Sequence, residues 1–304
     1  MSRATQRVDR KPAPARNDRR RVAGALLLLG LVAAAGAEPT VIREESALIP
    51  EFEHGRLQAE LHGRICRPAS DTPVPLVVIN HGSPPNGEEN RPRMQLGRCD
   101  GEAARWFVSR GYVVVFALRR GYGETGGSWA EAPGSCDHPD FVHAGLETAR
   151  DIDAIVDYAT QLPFVEKSAA VVVGQSAGGW GTIAYAAVAH PKVIAFVVMA
   201  GGRGGHAHNI PNRNCRADQL VEAARRFGAT ARTPMLWIYT ANDSYFAPPI
   251  ASAMWQAFTA AGGRAELHQL GAFGDDGHRL FFGAGGSEVW GPLVEGYLKE
   301  RSAP

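Results

Sequence analysis

Ser176 stands in the run Gly174-Gln175-Ser176-Ala177-Gly178, directly after Val171-Val172-Val173 and before Gly179-Trp180-Gly181. A serine hydroxyl is a poor nucleophile at neutral pH. It attacks a carbonyl only when a base lies within hydrogen-bond reach and a third group orients that base. Glycine on either side lets a helix pass close to the preceding strand, so that a serine on a sharp strand-to-helix turn presents its hydroxyl. The five-residue pattern alone also fits an ordinary βα turn with a capping serine, and residues further along the chain decide between the two. Asp243 lies in Thr240-Ala241-Asn242-Asp243-Ser244, and His278 in Gly274-Asp275-Asp276-Gly277-His278; each follows a strand-like segment. Serine, aspartate and histidine in that order, each past its own strand, read as nucleophile, orienting acid and general base. Asp275 and Asp276 stand too close to His278 in the chain to reach behind its ring, and read as shaping and capping the turn.

Acyl transfer through a tetrahedral oxyanion needs two donors fixed in advance. The amide of Ala177, the residue after the serine, is one. The second is expected from His81-Gly82-Ser83, with the Ser83 N–H favoured because Pro84 and Pro85 have no N–H and stiffen the loop behind it. Three further residues are candidates for substrate binding. Tyr122 sits at the tip of a Gly-rich loop, Arg203 can meet a substrate carboxylate, and Trp180 is expected in the helix after the serine turn, near the floor of a pocket. His206 and His208 are spaced i, i+2 in a loop without a carboxylate cluster, which reads as solvated histidines rather than a metal site. Gly121-Tyr122-Gly123-Glu124-Thr125-Gly126 lacks the Lys-Ser/Thr of a phosphate-binding loop, so no nucleotide is expected.

These residues need a scaffold, and the hydrophobic pattern supplies one. Glu44–Phe52 and Arg56–Cys66 read as a hairpin turning at His54-Gly55. Leu76–Asn80, Tyr112–Leu118, Ala169–Gly174, Val193–Met199, Pro234–Thr240 and Ala265–Leu270 read as further strands, several of them the continuous apolar runs of strands covered on both faces. Between them lie expected helices at Asp100–Arg110, His143–Gln161, from the serine turn to about His190, Asp218–Phe227, Pro249–Ala261 and Val289–Arg301. Strand and helix alternate after the hairpin, which implies an α/β fold: a mostly parallel sheet of about eight strands with helices on both faces. Binding loops then lie at the carboxyl ends of the strands. The irregular stretches, chiefly about 121–140 and 201–216, fall on that rim.

The first 37 residues read as a leader outside the fold. Arg3, Arg7, Arg10, Lys11, Arg16, Arg19, Arg20 and Arg21 precede the apolar Val22–Ala35, and Ala35-Gly36-Ala37 offers small residues for cleavage before Glu38. That is the pattern of a secretory signal peptide, with a loose likeness to a twin-arginine export signal at Arg19-Arg20-Arg21-Val22. The apolar stretch is too short to cross a bilayer, so no membrane anchor is expected after cleavage. The leader holds 8 of the 32 basic and 2 of the 31 acidic residues, leaving residues 38–304 with 24 and 29 and a net charge of −5. A mildly acidic domain of 267 residues with no basic block does not suggest a nucleic acid partner. The four cysteines, Cys66, Cys99, Cys136 and Cys215, have no C-x-x-C spacing. An even number in an exported chain favours two disulfides, with Cys136–Cys215 the preferred staple between loops and buried free thiols the alternative.

Gly174-Gln175-Ser176-Ala177-Gly178, His81-Gly82-Ser83, Asp243 and His278 together resemble the α/β-hydrolase superfamily. Arg119-Arg120-Gly121-Tyr122-Gly123 and the layout from Ser176 to His278 are similar to serine members of the dienelactone hydrolase-like branch. The resemblance runs from about Leu76 to Leu298. It implies the α/β-hydrolase fold and a hydrolase that needs no metal or cofactor and cleaves a small-molecule ester through an acyl-enzyme. Dienelactone hydrolase itself uses a cysteine where this chain has Ser176, which argues against dienelactone as the substrate. An exopeptidase or amidase of the same superfamily is the rival. It would need an acidic pair or an added propeller or cap domain to anchor a peptide terminus. A binding protein on a hydrolase scaffold usually lacks a member of the triad, and here none is missing.

Overall fold

The computed structural model describes Lys11 and residues 41–302, except 71, 189 and 190. The expected leader at 1–37 lies outside the described residues, as does the expected helix end at His190.

Chain order is β1 (Ile42–Glu53), β2 (Arg56–Pro68), β3 (Val74–Asn80), α1 (Gly87–Asn90), α2 (Glu102–Val108), β4 (Val113–Ala117), α3 (Phe141–Ala159), β5 (Val165–Gln175), α4 (Ala177–Ala186), β6 (Val193–Met199), α5 (Ala217–Gly228), β7 (Met235–Thr240), α6 (Pro248–Ala260), β8 (Ala265–Leu270) and α7 (Gly286–Ser302). The eight strands form one sheet in the order β1-β2-β4-β3-β5-β6-β7-β8. β2 runs antiparallel to β1 and β4, and every other pairing is parallel. This is the α/β-hydrolase fold. The hairpin turns at His54 (φ 48°) and Gly55 (φ 77°), both left-handed, as a tight turn matched to the twist of its strands requires.

Alternate residues of the central strands enter opposite cores. Leu76, Val78, Val172, Phe196, Val198 and Trp237 pack with α3, α4, α5 and α6. Val77, Ile79, Val171, Val173, Val197 and Ile238 pack with Trp106 and Phe107 of α2 and Trp290 of α7. Both faces of these strands are therefore apolar, which explains their unbroken Val/Ile runs. α3 begins two residues earlier than its hydrophobic period suggests because Asp140 caps it, accepting from the His143 amide at 2.8 Å.

Two disulfides close the framework. Cys136–Cys215 joins the two rim loops as expected, and Cys66–Cys99 ties β2 to the segment before α2. Among the described residues no helix is long and apolar enough to cross a membrane.

Candidate active site

Ser176 sits between β5 and α4 with φ 55° and ψ −119°, a conformation a non-glycine residue holds only where its surroundings enforce it. The enforcement is visible. The Ser176 amide donates to the Met199 carbonyl at 3.0 Å, and the Ser176 carbonyl accepts from Trp180 at 2.9 Å and Gly202 at 3.1 Å. A Cβ on Gly174 would lie 2.3 Å from the Gly178 carbonyl oxygen, and one on Gly178 would lie 2.5 Å from the Asn80 and His81 oxygens. Helix, strand and the loop after β3 thus meet closer than any side chain permits.

His278 is brought to this turn from the loop after β8. Its Nδ1 lies 3.1 Å from both carboxylate oxygens of Asp243, and Gln175 Nε2 donates to its carbonyl at 3.0 Å. Asp243 is fixed in turn, with Oδ1 accepting from the Tyr245 and Phe246 amides at 2.8 and 2.9 Å. Asp276 takes the turn-capping part: Oδ1 accepts from the His278 and Ser244 amides, and Oδ2 accepts from the Ser244 hydroxyl. Among the described residues the Ser176 hydroxyl makes no hydrogen bond, so no direct contact joins it to the His278 imidazole in this structure. Hydrogen bonds of this kind commonly tighten only when substrate is bound.

Ser83, Ser176 and Ala177 line one cavity of about 270 Å³. The Ala177 amide opens α4, ahead of any carbonyl of the helix that could receive it. Gly82 lets the Ser83 loop close on the turn, since a Cβ there would lie 2.4 Å from Gln175 Oε1 and 2.9 Å from Ser176 Cβ. Arg203 also lines the cavity. Tyr122 and Trp180 do not. Trp180 is wholly buried, donating from Nε1 to the Phe141 carbonyl at 2.8 Å and packing on Phe227. Tyr122 lies under the loop, its ring edge-on to His81.

Glu131 is a centre of this site that sequence reasoning missed. Its carboxylate accepts from Arg119 Nε at 2.6 Å, Tyr122 Oη at 2.5 Å and Thr148 Oγ1 at 2.7 Å, and pairs with the Arg203 guanidinium. Burial alone would raise its pKa, but Arg119 and Arg203 overcome that and hold it well below the usual range. An ionised Glu131 only accepts, so the Tyr122 proton points at it. The Ser83 hydroxyl then donates to Tyr122 and accepts from Arg203 Nη1 at 3.2 Å. Ser83 is thereby fixed by its side chain, and its backbone N–H makes no hydrogen bond among the described residues. Nothing in the sequence around Glu131 signals this, because a lone carboxylate in an aperiodic loop has no spacing to read.

His206, expected to be solvated, is instead half-buried: it stacks on Tyr245 and contacts Ser244 Oγ at 2.9 Å. His208 is exposed. His81 is locked as the neutral tautomer, its Nε2 accepting from the Arg119 amide at 3.2 Å while Nδ1 donates to the Gly82 carbonyl at 2.8 Å. Burial, then the Arg119 charge, lower its pKa from 6.5 to about 3. The unfolded chain therefore takes a proton that the folded chain refuses as pH falls below 6.5. Stability should drop between that pH and about 3, by up to about 1.4 kcal/mol per pH unit. Urea unfolding at pH 7 and pH 5 checks this: the loss should be smaller in His81→Gln, and an equal loss in both proteins would refute the assignment.

A model of the X-Pro dipeptidyl-peptidase (S15) family matches residues 57–230. No curated protein matches the sequence. Among solved structures the chain is similar to an esterase of Pyrococcus furiosus, at 14% identity and a TM-score of 0.58, covering 86% of this chain and 94% of that one. It is also similar to a dienelactone hydrolase-like promiscuous phosphotriesterase from metagenomic libraries, at 15% identity and a TM-score of 0.56, covering 86% and 98%. Dipeptidyl peptidase 4 of Porphyromonas gingivalis gives 16% identity and a TM-score of 0.61, covering 85% of this chain but 35% of its own. At such identities these likenesses concern the fold.

Proposed function

The chain belongs to the X-Pro dipeptidyl-peptidase (S15) family of α/β-hydrolases, and from that premise we propose that it is an exported serine hydrolase that cleaves carboxylic esters through an acyl-enzyme. One observation carries the reading: the strained Ser176 lines a cavity with Ser83 and Ala177, and its neighbour Gln175 ties that turn to the backbone of His278, whose imidazole is held by Asp243. His278 removes the Ser176 proton as the hydroxyl oxygen attacks the ester carbonyl. Asp243 keeps the Nδ1 proton in place and stabilises the imidazolium. The Ser83 and Ala177 amides receive the oxyanion. Collapse expels the alcohol, protonated by His278, and water enters by the reverse path to release the acid. Ser176→Ala should lower kcat/KM on small aryl esters by about three orders of magnitude or more with the fold intact. It should also abolish covalent labelling by a fluorophosphonate. Wild-type turnover in that variant would sink the proposal.

The family and the dipeptidyl peptidase likeness favour a second reading, cleavage of peptides from a free amino terminus. The charge of the cavity favours the ester. Among the described residues lining it none is acidic, whereas Arg91 and Arg203 both face it. A substrate ammonium group would therefore be desolvated without a counter-charge. Arg91 lies 3.7 Å over the Trp129 ring and has no carboxylate partner among the described residues, so an ester that carries its own carboxylate fits better. Half-esters of dicarboxylic acids should be cleaved with a higher kcat/KM than neutral esters of equal length. Arg91→Ala should shrink that preference about tenfold, the worth of one charge-assisted hydrogen bond. Equal rates for charged and neutral esters in the wild-type protein would refute the preference.

The two disulfides support an oxidising compartment and hence export. Amino-terminal sequencing of protein recovered outside the cytoplasm should begin at Glu38; an intact leader there would overturn the export reading.

A further inference from the structure

We propose that His206 is a positioning residue for the His278 imidazole, acting through the ring of Tyr245. The inference rests on His278 being the general base. Three rings form one stack: His278 lies 4.2 Å from Tyr245 at 29°, and Tyr245 lies 3.6 Å from His206 at 4°. Asp243 secures only the Nδ1 edge of His278, through two equal contacts of 3.1 Å that leave the ring free to tilt about that edge. Tilt is resisted at the ring faces, where Tyr245 is the nearer neighbour and Phe246, at 5.8 Å, the farther. Tyr245 lies at the cavity wall and is only half-buried. Without His206 its outer face would be open and the ring could swing away.

His206 is itself fixed in a defined protonation pattern. Asp276 is partly buried, which would raise its carboxyl, but hydrogen bonds from the Ser244 hydroxyl and the His278 amide hold it below the ordinary range. As a carboxylate it only accepts, so the Ser244 hydroxyl proton goes to Asp276 Oδ2 at 2.7 Å. The Ser244 oxygen can then only accept from His206, whose Nε2 must carry the proton across 2.9 Å. Asp276 Oδ1 meanwhile accepts from the His278 amide at 3.0 Å. One carboxylate therefore anchors both the outer histidine and the turn that bears the base.

The backbone is built for the same contact. His206 adopts φ 55° and ψ 43°, a left-handed conformation held against its intrinsic cost. A Cβ on Gly205 would lie 3.0 Å from the Tyr245 Cβ, so the loop packs closely on Tyr245. Asn212 donates from its amide to the Ser244 carbonyl at 2.7 Å, and Asn214 Nδ2 donates to the Tyr245 carbonyl at 2.8 Å. The loop bearing His206 is thus laced to the loop bearing Asp243. Proton transfer from Ser176 depends on holding the imidazole on line, where small displacements are costly.

The test is steady-state hydrolysis of 4-nitrophenyl acetate by the full chain and by His206→Ala, His206→Phe, His206→Leu and His278→Ala. His206→Ala should lower kcat about tenfold with KM changed less than about twofold, since misalignment slows chemistry rather than binding. His206→Phe keeps a flat ring on Tyr245 and should recover most of kcat, whereas His206→Leu should not. The downfield proton resonance of His278 Nδ1 should be sharp in the wild type and the Phe variant and broadened in the Leu variant. Should His206→Ala fail to fold, the Phe and Leu pair carries the comparison. Equal kcat in Phe and Leu variants, or a rise in KM alone, would overturn the role for His206. Wild-type turnover by His278→Ala would instead overturn the general-base assignment, a separate failure.

Discussion

Glu131, almost wholly buried, is paired with two arginines and bonded to Tyr122 and Thr148, and the rim of the candidate site is assembled around it. A buried carboxylate costs several kcal/mol in desolvation, and its partners recover that only if every one is in place. Arg119 reaches back to the His81 carbonyl, Arg203 forms part of the cavity wall, and Tyr122 holds the Ser83 hydroxyl. Removing the carboxylate would leave two buried guanidinium groups with no counter-charge, a change costing about 3–5 kcal/mol. The Ser83 loop would lose its orientation together with that stability.

The sheet explains why these groups converge. β3, β5, β6 and β7 are parallel neighbours, so the loops at their carboxyl ends open onto one edge. β3 delivers His81 to Ser83, β5 delivers Ser176, β6 delivers Arg203 and β7 delivers Asp243. β8 brings His278 alongside β7. Above that edge the rim loops near 121–140 and 201–216 are stapled by Cys136–Cys215. Trp129 and Pro133 from one loop, and Gly202 to His206 from the other, wall the same cavity. The candidate site residues therefore sit at strand ends, and the cavity wall is completed by two loops tied together by a disulfide.

Much of this was legible in consecutive residues. Continuous Val/Ile runs mark strands buried on both faces because alternate side chains enter two cores. Gly174 and Gly178 mark the serine turn because backbones there approach to distances no Cβ tolerates. The order Ser176, Asp243, His278 identified three groups that the fold does bring to one edge. Asp276 was recognisable as a turn cap, because capping depends on residues two positions apart.

The sequence by itself thus determined the strand and helix order, the strained turn and the types of residue gathered at the rim, all of which follow from local sterics and hydrophobic period. Only the tertiary structure decided that Glu131 would be the hub, that Tyr122 and Trp180 would stand behind the cavity wall rather than in it, that the four cysteines would pair as disulfides, and that His206 would stack over Tyr245. Each of these joins segments far apart in the chain through a single charge, ring or sulfur atom. Such a partnership leaves no periodic trace in the sequence, since it is set by which strand ends the folded sheet places side by side.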